Sequence, residues 1–281
     1  MRIKITADST SDIPQALCRE WGIDLLPLYV VRDGQALKDG LEITPDDIYA
    51  HVSAGGDMVS TAAVSVSDYM GYFQPILEEY DAIVHINIGA NFSACHQNCL
   101  LAAEELPGKV FPVDSRSLST GSGLLALEAA ALAREGKAPE EIAAAVSARR
   151  DKVDISFVLE TLTYLYKGGR CSGVAALGAN LLHLRPCIEV VDGAMGVGRK
   201  YRGSMKKCWE QYIRDRLADK DSVDPARLFI TDSGIAPGEH EAIRDMALAQ
   251  IPFREVYFTR AGCVISSHCG PNTMGIIFFR K

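Results

Sequence analysis

The sequence predicts an α/β protein. Residues 1–153 read as an N-terminal domain with a parallel sheet covered by helices. Residues 154–281 read as a C-terminal α+β domain with a mixed sheet. Three observations carry this. In the first half, short apolar runs alternate with segments of helical period, as in βαβ units. In the second half, hairpin signals mix with helices. The chain has 281 residues, 48% of them hydrophobic, which is enough for one large core or two smaller ones.

In order, Ile3 to Ala7 is a strand and Asp8-Ser9-Thr10-Ser11-Asp12 a dense polar turn at its carboxyl end. Asp12 is placed to cap a short helix that contains Pro14 and runs to Glu20 or Trp21. Ile23 to Val31 is apolar and extended. With Asp33-Gly34 as a turn it forms a small β-ribbon, near 23–40, that returns through Leu37. Thr44-Pro45-Asp46-Asp47 opens a helix, and Ser65 or Ser67 caps the next, Asp68 to Glu79. Val84 to Ile88 is a strand, and Gly89 to Phe92 a break. Ser93 reads as the N-cap of a helix from Ala94 to Glu105. Lys109 to Val113 is a strand ending near Asp114. The helix Gly121 to Arg134 is apolar nearly all round, so it should be buried. A helix from Pro139 to about Asp151 closes this half. Ligands of parallel sheets bind beyond the carboxyl ends of the strands, where Asp8, Ser93 and Asp114 should lie.

In the second half, Asp154 to Val158 is a strand, Leu162 to Lys167 a short helix, and Val174 to His183 an apolar helix. Pro186 to Val191 and Met195 to Arg202 form a hairpin around Asp192-Gly193. Ser204 caps a helix to about Asp219. A strand at Arg227 to Thr231, a helix at Pro237 to Gln250, and strands at Val256 to Thr259 and Gly275 to Phe279 complete the chain. Ser266 to Pro271 falls in the loop between the last two strands.

Composition excludes several classes. A net charge of −7 argues against a nucleic-acid partner, which would need a basic surface. No apolar run approaches ~18 residues, so no integral membrane segment is expected. The N-terminus enters a strand directly with no secretory h-region, and a cytoplasmic location follows. Eight cysteines contain no CxxC pair. Cys95, His96 and Cys99 share one helix, but buried reduced thiols are the better reading, and neither a metal nor a cofactor is expected. No GxxxxGK[ST], third-glycine dinucleotide fingerprint or GxSxG elbow occurs. Thr61, Ser93, Arg170 and His268 remain, each in a Gly- or Ser-marked loop. Taken singly, such residues more often cap helices, carry surface charge or sit satisfied in loops. Ser93 adds free helix N–H groups and a positive dipole end, a suitable place for an anion.

The chain resembles the DegV family of bacterial fatty-acid-binding proteins over nearly its whole length. The resemblance rests on ITADSTSDIP at 5–14, VDSRSLSTGSGLLALEAA at 113–130, LETLTYLYKGGRCSGVAALGANLLHLRPCIEVVDG at 159–193, KYRGSMKK at 200–207 and HCGPNTMG at 268–275. It implies a long-chain fatty acid such as palmitate, stearate or oleate, held between two domains with its acyl chain in an apolar tunnel. It further implies a non-catalytic carrier that presents the acid to a separate fatty acid kinase, in phospholipid metabolism. Thr61 and Ser93 would hold the carboxylate, with His268 close by and Ala94 and Arg170 among the ligand contacts. Arg170 and Arg202 would lie on the face met by the kinase. The family pattern resembles Thr-Ser-Gln-Pro-Ser at the first anchor and Ser-Gly-Thr-Tyr-Gln at the second. Here the chain has Thr61-Ala62-Ala63-Val64-Ser65 and Ser93-Ala94-Cys95-His96-Gln97, so a hydroxyl is lost beside each and Ala94 adds a methyl. Two alternatives compete with the carrier: an acyl hydrolase or transferase using Ser93 with His268 as base, and a lipid-dependent regulatory protein.

Overall fold

The computed structural model describes residues 1–170 and 184–281; the expected helix Val174 to His183 lies outside the described residues. Strands β1 (Ile3–Asp8), β2 (Ile23–Leu26), β6 (Ala82–Asn87) and β7 (Val110–Asp114) form a parallel sheet in the order β2-β1-β6-β7. Between β2 and β6 come β3 (Tyr29–Arg32), β4 (Gln35–Lys38) and β5 (Ser60–Ala62), an antiparallel three-stranded ribbon in the order β4-β3-β5. Ile23 to Leu26 therefore belongs to the main sheet rather than to the ribbon. The break falls at Pro27, whose missing N–H cannot continue a ladder. The third ribbon strand, Ser60–Ala62, follows the Gly55-Gly56 break and had no hairpin signal of its own.

Helix α1 (Gln15–Trp21) is not capped by Asp12; Pro14 occupies its N-cap without a side-chain bond. Thr44 and Ser65 do cap α2 (Pro45–Ser53) and α3 (Val66–Glu79), each in a reciprocal capping box with the aspartate three residues on. Helix α4 (Cys95–Glu104) follows β6, and α5 (Thr120–Arg134) and α6 (Pro139–Arg149) follow β7. α3 and α4 cover one face of the parallel sheet; α5 and α6 cover the other. β8 (Val153–Val158), β9 (Leu184–Val191), β10 (Ala194–Arg202), β11 (Val223–Asp232), β12 (Glu255–Arg260) and β13 (Met274–Arg280) form a mixed sheet in the order β10-β9-β8-β13-β11-β12. Within this sheet only β11 and β12 pair in parallel among the described residues.

The apolar girth of α5 has a direct cause. Besides β1 and β6 it packs on β8 and β13, so it lies between the two sheets and has almost no solvent face. The larger core gathers around it from both sheets. A second core lies under α8 (Met205–Arg216) and α9 (Glu239–Gln250) on the outer face of the mixed sheet. Two further helices, α7 (Thr163–Lys167) and α10 (Cys263–Cys269), pack on each other. α10 replaces the expected loop before the last strand: Ser266 Oγ donates to the Ala261 carbonyl just before the helix and Ser267 Oγ to the Cys263 carbonyl in its first turn, so both hydroxyls are satisfied locally.

Candidate functional site

Three chain segments converge on one cleft. β5 brings Thr61, the turn before α4 brings Ser93, and α10 brings His268 near its carboxyl end. Arg170, just after α7, reaches the same cleft. Its guanidinium donates to the Gly168 carbonyl (3.0 Å) and the Phe92 carbonyl (3.5 Å), tying the 168–170 turn to the Ser93 loop. The cleft encloses about 590 Å³, solvent at its mouth included. Its remaining walls are apolar, among them Leu28, Ile88, Phe92, Phe157, Met195 and Ile265. Leu118, Phe157, Ile265 and Cys269 are shared with a smaller pocket of about 330 Å³, open solvent included, that reaches Ile155 and Ile277. Apolar side chains thus extend inward from a rim of hydroxyls, imidazole and guanidinium.

Thr61 Oγ1 and His268 Nε2 share a hydrogen bond of 3.0 Å. His268 Nδ1 is enclosed and has no partner. Burial, with the Arg170 charge adding to it, pushes the His268 pKa down to about 4, so the ring is neutral at pH 7. Ser93 does not occupy the N-cap: Ala94 does, with no side-chain bond. Ser93 Oγ accepts from the Cys95 amide (3.3 Å) and lies 3.2 Å from Cys95 Sγ as donor. No bond joins Ser93 to His268 among the described residues. Ala94 is exposed and does not line the cleft. Arg202, exposed at the end of β10 opposite Leu184, stands outside it as well.

What positions α10 was not visible in the sequence. Its first amides are taken by two carboxylates from far upstream: Asp12 Oδ1 accepts from Gly262 N (2.8 Å) and Asp39 Oδ1 from Cys263 N (2.7 Å). Asp12 also accepts from Ser119 Oγ (2.5 Å), and Asp39 from Ser9 Oγ (2.8 Å). Asp12 therefore caps a helix 250 residues away instead of its neighbour α1. Gly168 is the other unforeseen support: a Cβ there would overlap His268 Nδ1. The parallel sheet ends, as expected, in Asp8 and Asp114 beside this region, but neither lines the cleft. Among the described residues no group of three metal-ligating side chains occurs, and no helix is long and apolar enough to cross a membrane.

A family model described as "Uncharacterised protein, DegV family" matches residues 2–281. The chain belongs to the DegV family. A DegV domain-containing protein of Caldanaerobacter subterraneus is 30% identical, the match covering 100% of this chain and 99% of that one. A protein of Thermotoga maritima called fatty acid-binding protein is 29% identical over 98% of this chain and 96% of its own. A solved DegV structure from Thermus thermophilus, described as fatty acid binding, is 33% identical, has a TM-score of 0.92 and is covered over 100% of both chains.

Proposed function

We propose that this DegV protein is a fatty-acid carrier. A long-chain acid such as palmitate, stearate or oleate lies in the cleft, its carboxylate at Thr61, Ser93 and His268 and its chain directed between the two sheets. The division at 153/154 then makes two domains with the ligand between them, in a cytoplasmic protein that is not itself catalytic. The observation that carries this reading is the pairing of apolar walls with a polar rim at which His268, neutral, keeps an unpartnered Nδ1. A carboxylate is costly to bury unless it is hydrogen-bonded, and hydroxyls with a nearby guanidinium meet that need. Burying roughly 14 methylenes at about 0.8 kcal/mol each yields ~11 kcal/mol gross. Half of that, after ordering and desolvation, still corresponds to about micromolar or better affinity.

In this reading a separate fatty acid kinase phosphorylates the presented carboxylate, and Arg170 and Arg202 serve its docking. No geometric feature favours the hydrolase alternative, since Ser93 engages Cys95 rather than a base. Denaturing extraction of the purified protein, followed by lipid mass spectrometry, should release a fatty acid; delipidated protein should take up palmitate or oleate. Neither happening would refute the carrier. With a cognate kinase and ATP, Arg202→Glu should keep lipid uptake and lose acyl-phosphate formation, while Arg170→Glu, whose side chain lines the cleft, should lose acyl-phosphate formation and weaken uptake as well. Wild-type turnover in both would remove the docking role.

A further inference from the structure

A second groove runs along the hairpin turn Asp192-Gly193 and encloses about 650 Å³, solvent at its mouth included. Its lining is polar and rich in arginine: Arg116 from the loop after β7, Arg150 just after α6, Arg216 from α8 and Arg280 from β13. Most of this charge is matched. Arg216 and Arg280 both grip the buried Asp154, and Arg216 also holds Glu189 at 2.8 Å. Arg116 meets Asp151 at 3.4 Å on the surface. The fourth carboxylate of the groove, Asp192, is exposed in the turn.

Arg150 is the exception. Among the described residues it meets no carboxylate; its Nη1 donates only to the Asp114 carbonyl, at 3.2 Å. Its Nε is enclosed and has no partner. The same holds for Arg216 Nε and for the hydroxyl of Ser117, a residue only 2% exposed. Three enclosed polar atoms without partners therefore belong to residues that line one groove. Buried polar groups are normally bonded, so such a cluster marks a missing acceptor. Guanidinium forks match the planar spacing of oxyanion oxygens and bind phosphate in preference to a spherical anion. Arg116 is held at the rim by a local turn: its φ is +49°, and its amide donates to Asp114 Oδ1 at 3.0 Å.

We propose that this groove is a binding site for a phosphate-type oxyanion, with Arg150 as its principal cation and Ser117 and Arg116 as further donors. The site is separate from the fatty-acid cleft, with which it shares no lining residue. Inorganic phosphate or a phosphate monoester on a small organic molecule would satisfy the same donors.

The test is calorimetric titration of the whole protein with inorganic phosphate at low ionic strength, with sodium chloride as control and glycerol 3-phosphate as a second ligand. One saturable site is expected, at least tenfold weaker in Arg150→Gln, with fatty-acid uptake unchanged. Arg150→Lys keeps the charge and loses the fork, and should fall between. Tighter binding of glycerol 3-phosphate identifies a monoester, and tighter binding of inorganic phosphate identifies the free ion; either supports the site. Absence of saturable binding in the wild type, or equal affinity in Arg150→Gln, overturns it. If Arg150→Gln does not fold, Ser117→Ala and Arg116→Gln decide: each should weaken binding several-fold, and no change in either overturns the proposal.

Discussion

Two polar clusters lie near the carboxyl end of the parallel sheet, and they differ in completeness. At the switch point between β1 and β6, Asp8 is 1% exposed and fully engaged. Oδ1 accepts from Tyr69 OH (2.9 Å) and meets His85 Nε2 (3.1 Å); Oδ2 accepts from the Ile88 amide (2.8 Å) and Asn87 Nδ2 (3.4 Å). His85 Nδ1 in turn meets Thr6 Oγ1 at 2.7 Å. Every member is saturated by the fold. At the cleft, among the described residues, His268 has one partner and an empty Nδ1, and Ser93 has only its neighbour Cys95. A switch point is where a parallel sheet usually takes its ligand, yet here that position is closed by its own side chains. In the proposed reading, binding is displaced to the rim beyond Ile88. A saturated network is a structural device; an unsaturated one marks a place for something else.

The largest expected effect breaks the saturated cluster. Asp8→Ala strands four donors in a dry interior and should cost about 3 kcal/mol or more, measured by urea denaturation. Thr61→Ala with Ser93→Ala should leave stability within about 1 kcal/mol, because neither hydroxyl completes a network. Equal losses in the two variants would erase the distinction between the clusters.

The complementary measurement is lipid affinity. Each of Thr61→Ala and Ser93→Ala should weaken fatty-acid binding by about 1–3 kcal/mol, the range for a lost donor to a charged acceptor. The pair should be non-additive because both serve one carboxylate. Unchanged affinity in the double variant would reduce Ser93 to a turn residue.

Next comes the support of His268. Gly168 has an ordinary helical φ of −70°, so alanine fits the backbone. Its methyl, however, would occupy the place of His268 Nδ1. Gly168→Ala should therefore displace the ring and lower lipid affinity about tenfold, ~1.4 kcal/mol. Preserved affinity would show that His268 does not need its observed position.

Sequence made the strands, caps and hairpin legible because their causes are local. Apolar runs mark β1 and β6, Thr44 and Ser65 sit three residues before their aspartates, and Asp192-Gly193 supplies the left-handed turn. The apolar girth of α5 announced its burial, although not that two sheets would share it. Thr61, Ser93, Arg170 and His268 were legible as candidates, and the fold brings them to one cleft. Their supports were not legible. Ser266-Ser267-His268 has the composition of a loop, and it is helical because Asp12 and Asp39, more than 200 positions upstream, take the first amides of α10. Nor could local reading tell that Asp12 would ignore the helix beside it, or that the break at Pro27 would send Ile23–Leu26 into the main sheet.

The smallest effect tests that long-range cap by pH. Burial, partly offset by the bonds from Ser119 and Gly262, pushes the Asp12 pKa up to about 8. In the unfolded chain it should titrate near the usual ~3.9. The folded state then retains a proton that the unfolded state has released, so Asp12's contribution is complete below pH ~3.9 and lost as pH rises through about 8. His268 has the opposite sign: with its pKa lowered to about 4, its contribution is complete above pH ~6.5 and lost as pH falls toward 4. Between pH ~6.5 and 8, only the Asp12 effect remains of the two. Wild-type stability should fall there by of order 1 kcal/mol. Asn at position 12 keeps a carbonyl oxygen for Gly262 N–H and offers its amide to Ser119, reproducing the protonated acid without the titration. Asp12→Asn should thus match the wild type at pH 6.5 and exceed it at pH 8, in urea denaturation at the two values. A variant that is destabilised at pH 6.5 and keeps the wild-type slope would show that Asp12 caps α10 as an ionised carboxylate, and that the negative charge itself holds the helix carrying His268.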